Sequence, residues 1–194
     1  MYYVNQLGYP HIEYLHNVEN GGAPEQRRNI ATSGCGICSA CMIVGNLTEV
    51  KPTVEEMRDL VYESGANARV GSRLRILGPA MAEKYGLLYD FTNDADEMMA
   101  CLNDGGMVIA NVAGDQEGYK GLFSYIGHYV VILKAEGTLL CVADPAYRYG
   151  KFDTEENRPR ISRIEVPLVW TELKYMEEDV AARDIRYYLF RKKV

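Results

Sequence analysis

The sequence predicts an α+β fold, with helices gathered in its first half and mostly antiparallel strands in its second. Three observations carry this. Apolar residues recur at helical spacing up to residue 102, whereas from residue 107 onward the runs are short and either alternating or wholly apolar. Glu136-Gly137 stands between two of those later runs as a hairpin signal. No helical pattern separates the late strands, so a doubly wound sheet lacks the crossovers it needs. With 194 residues, 47% of them apolar and 25% charged, the chain has material for one domain with a substantial core. A helical lobe would occupy about residues 1–105 and a sheet lobe about residues 106–194, the two sharing one core within a single domain.

The elements follow in order. The first 34 residues are rich in Gly, Pro, Asn and Tyr and read as loop with at most a short strand. Residues 35–45 are small and apolar nearly all round, the pattern of a buried helix. Thr53 followed three residues later by Glu56 is a capping box, and Met57, Leu60 and Val61 supply the apolar stripe of the helix it opens. A third helix is expected over 75–85, stopping at Gly86. A fourth spans 95–102, capped by Asp94 and stopped by Gly105. Strands are expected at 107–112, 128–135, 138–143, 161–166 and 185–191.

Composition removes several functions. The net charge is −6, which disfavours nucleic acid or an acidic membrane as partner. The start Met1-Tyr2-Tyr3-Val4-Asn5-Gln6 has no basic, apolar leader character, and no run approaches the length of a membrane span. The expected place is therefore the cytoplasm, or the exterior had a leader been removed. Five cysteines are an odd set in a chain too long to need a disulfide scaffold, which points to reduced thiols. The acidic stretch 93–117 and the basic tail with Arg183, Arg186, Arg191, Lys192 and Lys193 read as solvated surface.

One cysteine stands apart. Ser33-Gly34-Cys35-Gly36 leads directly into the apolar helix, which puts Cys35 at its first turn. There the unpaired N–H groups and the helix dipole favour thiolate, and the flanking glycines let a substrate backbone come close. An inert buried thiol is the competing reading. Cys35, Cys38 and Cys41 also form C-x2-C-x2-C, the basis of a metal or iron–sulfur alternative. On a helix, however, successive thiols of this spacing fan out by roughly 60° each and do not converge on one ion.

Histidine is scarce, and His128 is the one in unusual company. It opens the apolar run 128–133, while the returning strand ends at Asp144-Pro145. Folding the hairpin about 136–137 brings position 128 opposite 145 within a residue or two, so Asp144 lies at the same end as His128. A carboxylate there can fix the imidazole tautomer and support its charged form. A surface histidine and a turn-forming Asp-Pro are the plainer alternatives. His11 and His16 fall in the N-terminal loop region, where solvated side chains are expected. Tyr129, Tyr147 and Tyr149 flank the hairpin end and are candidates to line a groove, whereas Tyr187 and Tyr188 are expected to pack on the terminal strand.

Taken together these segments resemble the C39-like branch of the papain-like cysteine peptidases. Ser33-Gly34-Cys35-Gly36 resembles that branch's nucleophile segment, Gly127-His128-Tyr129-Val130-Val131 its histidine segment, and Val142-Ala143-Asp144-Pro145-Ala146 its aspartate segment. Asp104-Gly105-Gly106-Met107-Val108-Ile109 resembles the strand leading in, and Val4-Asn5-Gln6 falls where the family carries an oxyanion-hole glutamine. The similarity spans roughly residues 4–147. Ile37 and Cys38 depart from the Gly-Cys-Gly-Pro pattern common in the family. The resemblance implies a papain-like fold, with the nucleophile helix packed on an antiparallel sheet. It further implies a hydrolase acting through Cys35, His128 and Asp144, with Gln6 completing the oxyanion hole and Gln26 as rival. No cofactor or metal is implied, and a peptide or small amide is the expected partner. An acyltransferase using the same residues, a catalytically retired binding module and a cysteine-ligated metal protein remain the alternatives.

Overall fold

The computed structural model describes residues 1–15, 28–68 and 71–193. His16, Gln26 and the segment 20–22 lie outside the described residues. After the N-terminal segment, β1 (Glu13–Tyr14) pairs with β2 (Arg28–Asn29), and α1 (Ile30–Ser33) leads through Gly34 into α2 (Cys35–Leu47). Next come α3 (Val54–Glu63), the small pair β3 (Asn67–Ala68) and β4 (Gly71–Ser72), and α4 (Leu74–Tyr85). The rest of the chain runs β5 (Leu87–Thr92), α5 (Ala95–Asn103), β6 (Met107–Val112), β7 (His128–Glu136), β8 (Leu139–Ala143), β9 (Ile161–Glu165), β10 (Leu168–Glu172), α6 (Leu173–Val180) and β11 (Tyr187–Lys192).

The helix starts are where local chemistry places them. Thr53 and Glu56 form the reciprocal capping box of α3, Asp94 caps α5 through the amides of Asp96 and Glu97, and Gly86 ends α4 in the left-handed conformation. The large sheet has seven strands in the order β5-β11-β6-β7-β8-β10-β9. Every neighbouring pair is antiparallel.

Alternate residues of the strands enter two different apolar layers. Ile109, Val131, Ala143, Tyr188 and Phe190 face α2, α3 and α4. Val108, Ala110, Val130, Ile132, Val142 and Leu189 face the other way, toward Met98, Cys101 and Leu102 of α5 and Met176 and Val180 of α6. The sheet is therefore covered on both sides, and the one shared core expected between consecutive lobes is instead two layers. The lobes also intermix. β5, from the stretch expected to be helical, is an outer strand of the sheet, and α5 packs on the face opposite α2. A helix, α6, does fall between late strands, but it returns the chain for antiparallel pairing of β11 with both β5 and β6.

Placement of α2 matters most for the site. From Gly36 to Gly45 every residue of it is buried, as the near-uniform apolar sequence requires. Its neighbours include α3, α4, β4, β6 and β7, so its first residue is held against the start of β7.

Candidate active site

Gly34 closes α1 and opens α2. A side chain there would meet the Ile30 carbonyl oxygen at 2.5 Å, so glycine is what allows the two helices to join so tightly. No side chain caps the start of α2, and at its first position Cys35 has no carbonyl of its own helix to bond. Cys35 and His128 line the same cavities, and the His128 ring, with the Tyr129 and Gly36 backbones, lowers the Cys35 thiol.

The hairpin β7–β8 supplies the other two groups. Its turn falls at Gly137-Thr138, one residue later than expected, and an irregularity between Ile132 and Lys134 shifts the register back. Val131 thus pairs with Ala143, and Asp144 emerges beside His128. The His128 Nε2 lies 2.8 Å from Asp144 Oδ1, which leaves Nδ1 as the ring nitrogen for Cys35. His128 and Asp144 are both buried, at 7% and 0% exposure, so the plainer alternative of a surface histidine does not hold.

Asp144 is fully engaged. Its Oδ1 also accepts from the Ala146 amide at 2.8 Å, and its Oδ2 receives the Lys151 ammonium. The N-terminal segment fastens the same turn: Tyr3 Oη donates to the Asp144 carbonyl at 2.6 Å, Asn5 Nδ2 to the Tyr147 carbonyl at 2.8 Å, and the Gln6 amide to the Pro145 carbonyl at 2.8 Å. Burial alone would push the Asp144 carboxyl up, but the Lys151 charge and the His128 bond hold it down at about 2.

The same opposition runs through the other two groups. Burial favours neutral imidazole, yet the hydrogen bonds to Asp144 and Cys35 raise His128 from 6.5 to about 9. Burial also pushes the Cys35 thiol up, but the bond and charge of His128 bring it below the ordinary thiol range. Cys38, Cys41, Cys101 and Cys141 are all raised, with burial the first cause in each. Cys35 is alone among the five free cysteines in being pulled toward thiolate.

Cys35 and His128 sit where two cavities meet. One, of about 450 Å³, is lined by Ser72, Asn111, Ala113, Tyr129 and Arg183 together with the residue pair. The other, of about 330 Å³, includes Gln6, Ser33, Phe123, Tyr125, Arg148 and Lys151. Gln6 is buried at this second cavity. One N–H of its Nε2 donates to the Ala31 carbonyl at 2.8 Å, and its Oε1 has no partner among the described residues. The second N–H of Nε2 remains for a ligand in the cavity.

The structure thus brings Cys35, His128, Asp144 and Gln6 together. Cys38 and Cys41 stay inside an unbroken α2, and among the described residues no three or more His, Cys, Asp or Glu side chains gather as a metal site would need. Tyr129 lines a cavity, but Tyr147 is buried against Phe152 and Tyr149 is 90% exposed away from the cleft. Tyr187 and Tyr188 are buried on the terminal strand, and His11 is exposed. Lys151, Tyr3 and Arg183 reach the site unannounced by any sequence spacing.

The fold, then, is α+β, built on a large antiparallel sheet with a helix-borne cysteine facing a strand-borne histidine. Among solved structures, a provisionally assigned C39-like peptidase from Bacillus anthracis superposes with a TM-score of 0.53, covering 82% of this chain and 89% of that one at 13% identity. The likeness is one of fold. No family model matches the chain, and no curated protein matches it in sequence. Among the described residues no helix is long and apolar enough to cross a membrane.

Proposed function

We propose that this protein is a papain-like cysteine peptidase or amide hydrolase, with Cys35 as nucleophile, His128 as general base and acid, and Asp144 as the group that orients His128. The observation that carries the reading is geometric: His128 Nε2 lies 2.8 Å from the buried Asp144 carboxylate, and the same ring lines both cavities together with Cys35 at the start of its helix. The direction in which Cys35 is shifted, opposite to the other four thiols, agrees with this.

His128 takes the Cys35 proton, giving a thiolate–imidazolium pair. The thiolate attacks the carbonyl carbon, a C–S bond forms, and the carbonyl electron pair moves onto oxygen. The Cys35 amide and the second N–H of Gln6 Nε2 are the donors for that oxyanion, together lowering the barrier by several kcal/mol. As the oxyanion collapses, the C–N bond breaks and imidazolium protonates the departing amine. His128 then deprotonates a water, hydroxide attacks the thioester, and the acid leaves as Cys35 is restored. Asp144 keeps one tautomer throughout and remains ionised, since its proton affinity lies far below that of the ring.

The test is acylation by p-nitrophenyl acetate. The expected result is a burst of p-nitrophenolate stoichiometric with protein and an acetyl group mapped to Cys35 after acid quench, both absent from Cys35→Ala. Slow turnover in water that speeds up with added amines would mark a transferase. Failure to acetylate Cys35 would overturn the proposal.

A further inference from the structure

The cleft beside Cys35 differs in charge from the chain that forms it. The sequence carries 27 acidic and 21 basic side chains. Yet the two cavity walls hold Arg183 on one side and Arg148 and Lys151 on the other, and among the described residues no Asp or Glu lines either. Lys151 is already paired with Asp144, and Arg148 is exposed.

Arg183 is the one of the three that is both fixed and unspent. Its Nε and Nη2 donate to the same Val112 carbonyl at 3.1 and 2.7 Å, which pins the guanidinium at the wall of the larger cavity. Among the described residues Nη1 meets no acceptor, and no carboxylate forms an ion pair with the group. Gly127 makes the room, because a side chain there would collide with Nη2. A guanidinium held in one orientation inside a cleft is suited to a planar anion, and it binds one more strongly than a freely rotating surface charge would.

We propose that Arg183 binds a carboxylate of the substrate in this cavity, so that the preferred substrates are acidic peptides or small acidic amides. This rests on the reading of Cys35 as nucleophile. The carboxylate is either the side chain of an acidic residue or the free main-chain acid of a γ-linked glutamyl group. Either would be drawn in by the local positive field despite the net charge of the whole.

Three cysteine-directed vinyl sulfones separate the possibilities: N-acetyl-Glu-Gly, N-acetyl-Gln-Gly and γ-linked Glu-Gly. In each, the Cys35 thiolate adds to the vinyl carbon β to the sulfone, and the His128 proton passes to the resulting α-sulfonyl carbanion. Labelling of the full chain is followed by intact mass, with peptide mapping to Cys35. The expected result is that at least one acidic probe reacts about tenfold faster than the Gln probe in low salt, as a charge-assisted contact allows. That ratio should shrink in about 0.5 M NaCl. It should fall to about one in Arg183→Gln and recover in part in Arg183→Lys, with thermal melts checking that both variants fold. Advantage for the α-linked probe assigns an acidic side chain, and advantage for the γ-linked probe assigns a main-chain acid. Equal rates for acidic and neutral probes in the wild type, or a preference that survives Arg183→Gln, would overturn the inference and leave the hydrolase reading intact. If Arg183→Gln fails to fold, the salt dependence and Arg183→Lys decide. Absence of Cys35 labelling by every probe would remove both.

Discussion

Two side chains at the site divide the chemistry in a way that substitution can read. Gln6 acts only if an oxyanion forms, because alkylation of a thiol has no such intermediate. The ratio of Cys35 acylation by p-nitrophenyl acetate to alkylation by iodoacetamide should therefore drop about 10²-fold in Gln6→Ala. An unchanged ratio would remove Gln6 from the oxyanion hole. Asp144 is tied to five partners at once: the His128 ring, the Ala146 amide and Lys151 through its carboxylate, and the Tyr3 hydroxyl and the Tyr147 amide through its carbonyl. Asp144→Ala leaves the Lys151 ammonium, only 13% exposed, without its anion, which should cost about 3 kcal/mol in denaturant unfolding. It also removes the carboxylate that, with Cys35, lifts His128 above its ordinary value. The ion-paired state of Cys35 should then be lost at a lower pH than the wild-type value of about 9, visible as an earlier fall in imidazolium signal by NMR. At this scale the sequence was most informative where chemistry is local. A cysteine between glycines at a helix start and a histidine and aspartate at one end of a hairpin are spacings that a reader can measure. Lys151 and Arg183 arrive through tertiary packing, and Arg183 had read as ordinary basic tail. Nothing in their neighbours marks them.

The loop between β6 and β7 shows how an element is placed by a residue far from it. Asp179 of α6 is wholly buried, and its carboxylate accepts from Tyr119 Oη at 2.9 Å, the Leu122 amide at 2.7 Å and the Phe123 amide at 3.3 Å. Burial raises its carboxyl, and those bonds oppose the rise. Phe123 and the residues after it form a cavity wall and run into Gly127-His128. Asp179→Ala should destabilise the fold by about 2 kcal/mol, leaving two buried amides unpaired. Hydrogen exchange should show lost protection at Leu122 and Phe123 first, and protection unchanged there would contradict the anchoring role. The helices from α2 to α5 are legible from local signals: the capping residues of α3 and α5, the Gly86 stop of α4 and the small, wholly apolar run of α2. β5 was not, because its burial does not alternate cleanly and its middle residues are largely exposed. β10 is missed because it starts directly behind Val166-Pro167, where the expected strand 161–166 ends and the proline reads as a stop. α6 is short and rich in Lys and Glu, a pattern that tertiary burial of Met176 and Val180 overrides. Periodicity also says that α5 has a buried face without saying which side of the sheet it meets.

Across the whole molecule, the chain's last strand is central rather than peripheral. β11 pairs with β5 on one side and β6 on the other, and Tyr187, Tyr188, Leu189 and Phe190 are all buried. β5 has no other strand neighbour, so deleting residues 187–194 should detach it and abolish cooperative thermal unfolding followed by circular dichroism. A truncated chain that still melts cooperatively would show that the sheet closes without its terminal strand. What the assembled fold accomplishes is to bring a helix start, a strand start and a hairpin end to one point, where the His128 bond and charge pull the Cys35 thiol down against the desolvation that pushes it up. The pH dependence of Cys35 alkylation by iodoacetamide measures this directly. The account requires the rate to rise below the ordinary thiol range and hold level up to about pH 9, where His128 loses its proton. In His128→Ala the rise should move to higher pH, since only the Tyr129 and Gly36 backbones then oppose burial. A wild-type rise centred near about 8.5, the value of a free thiol, and unmoved by His128→Ala would contradict it.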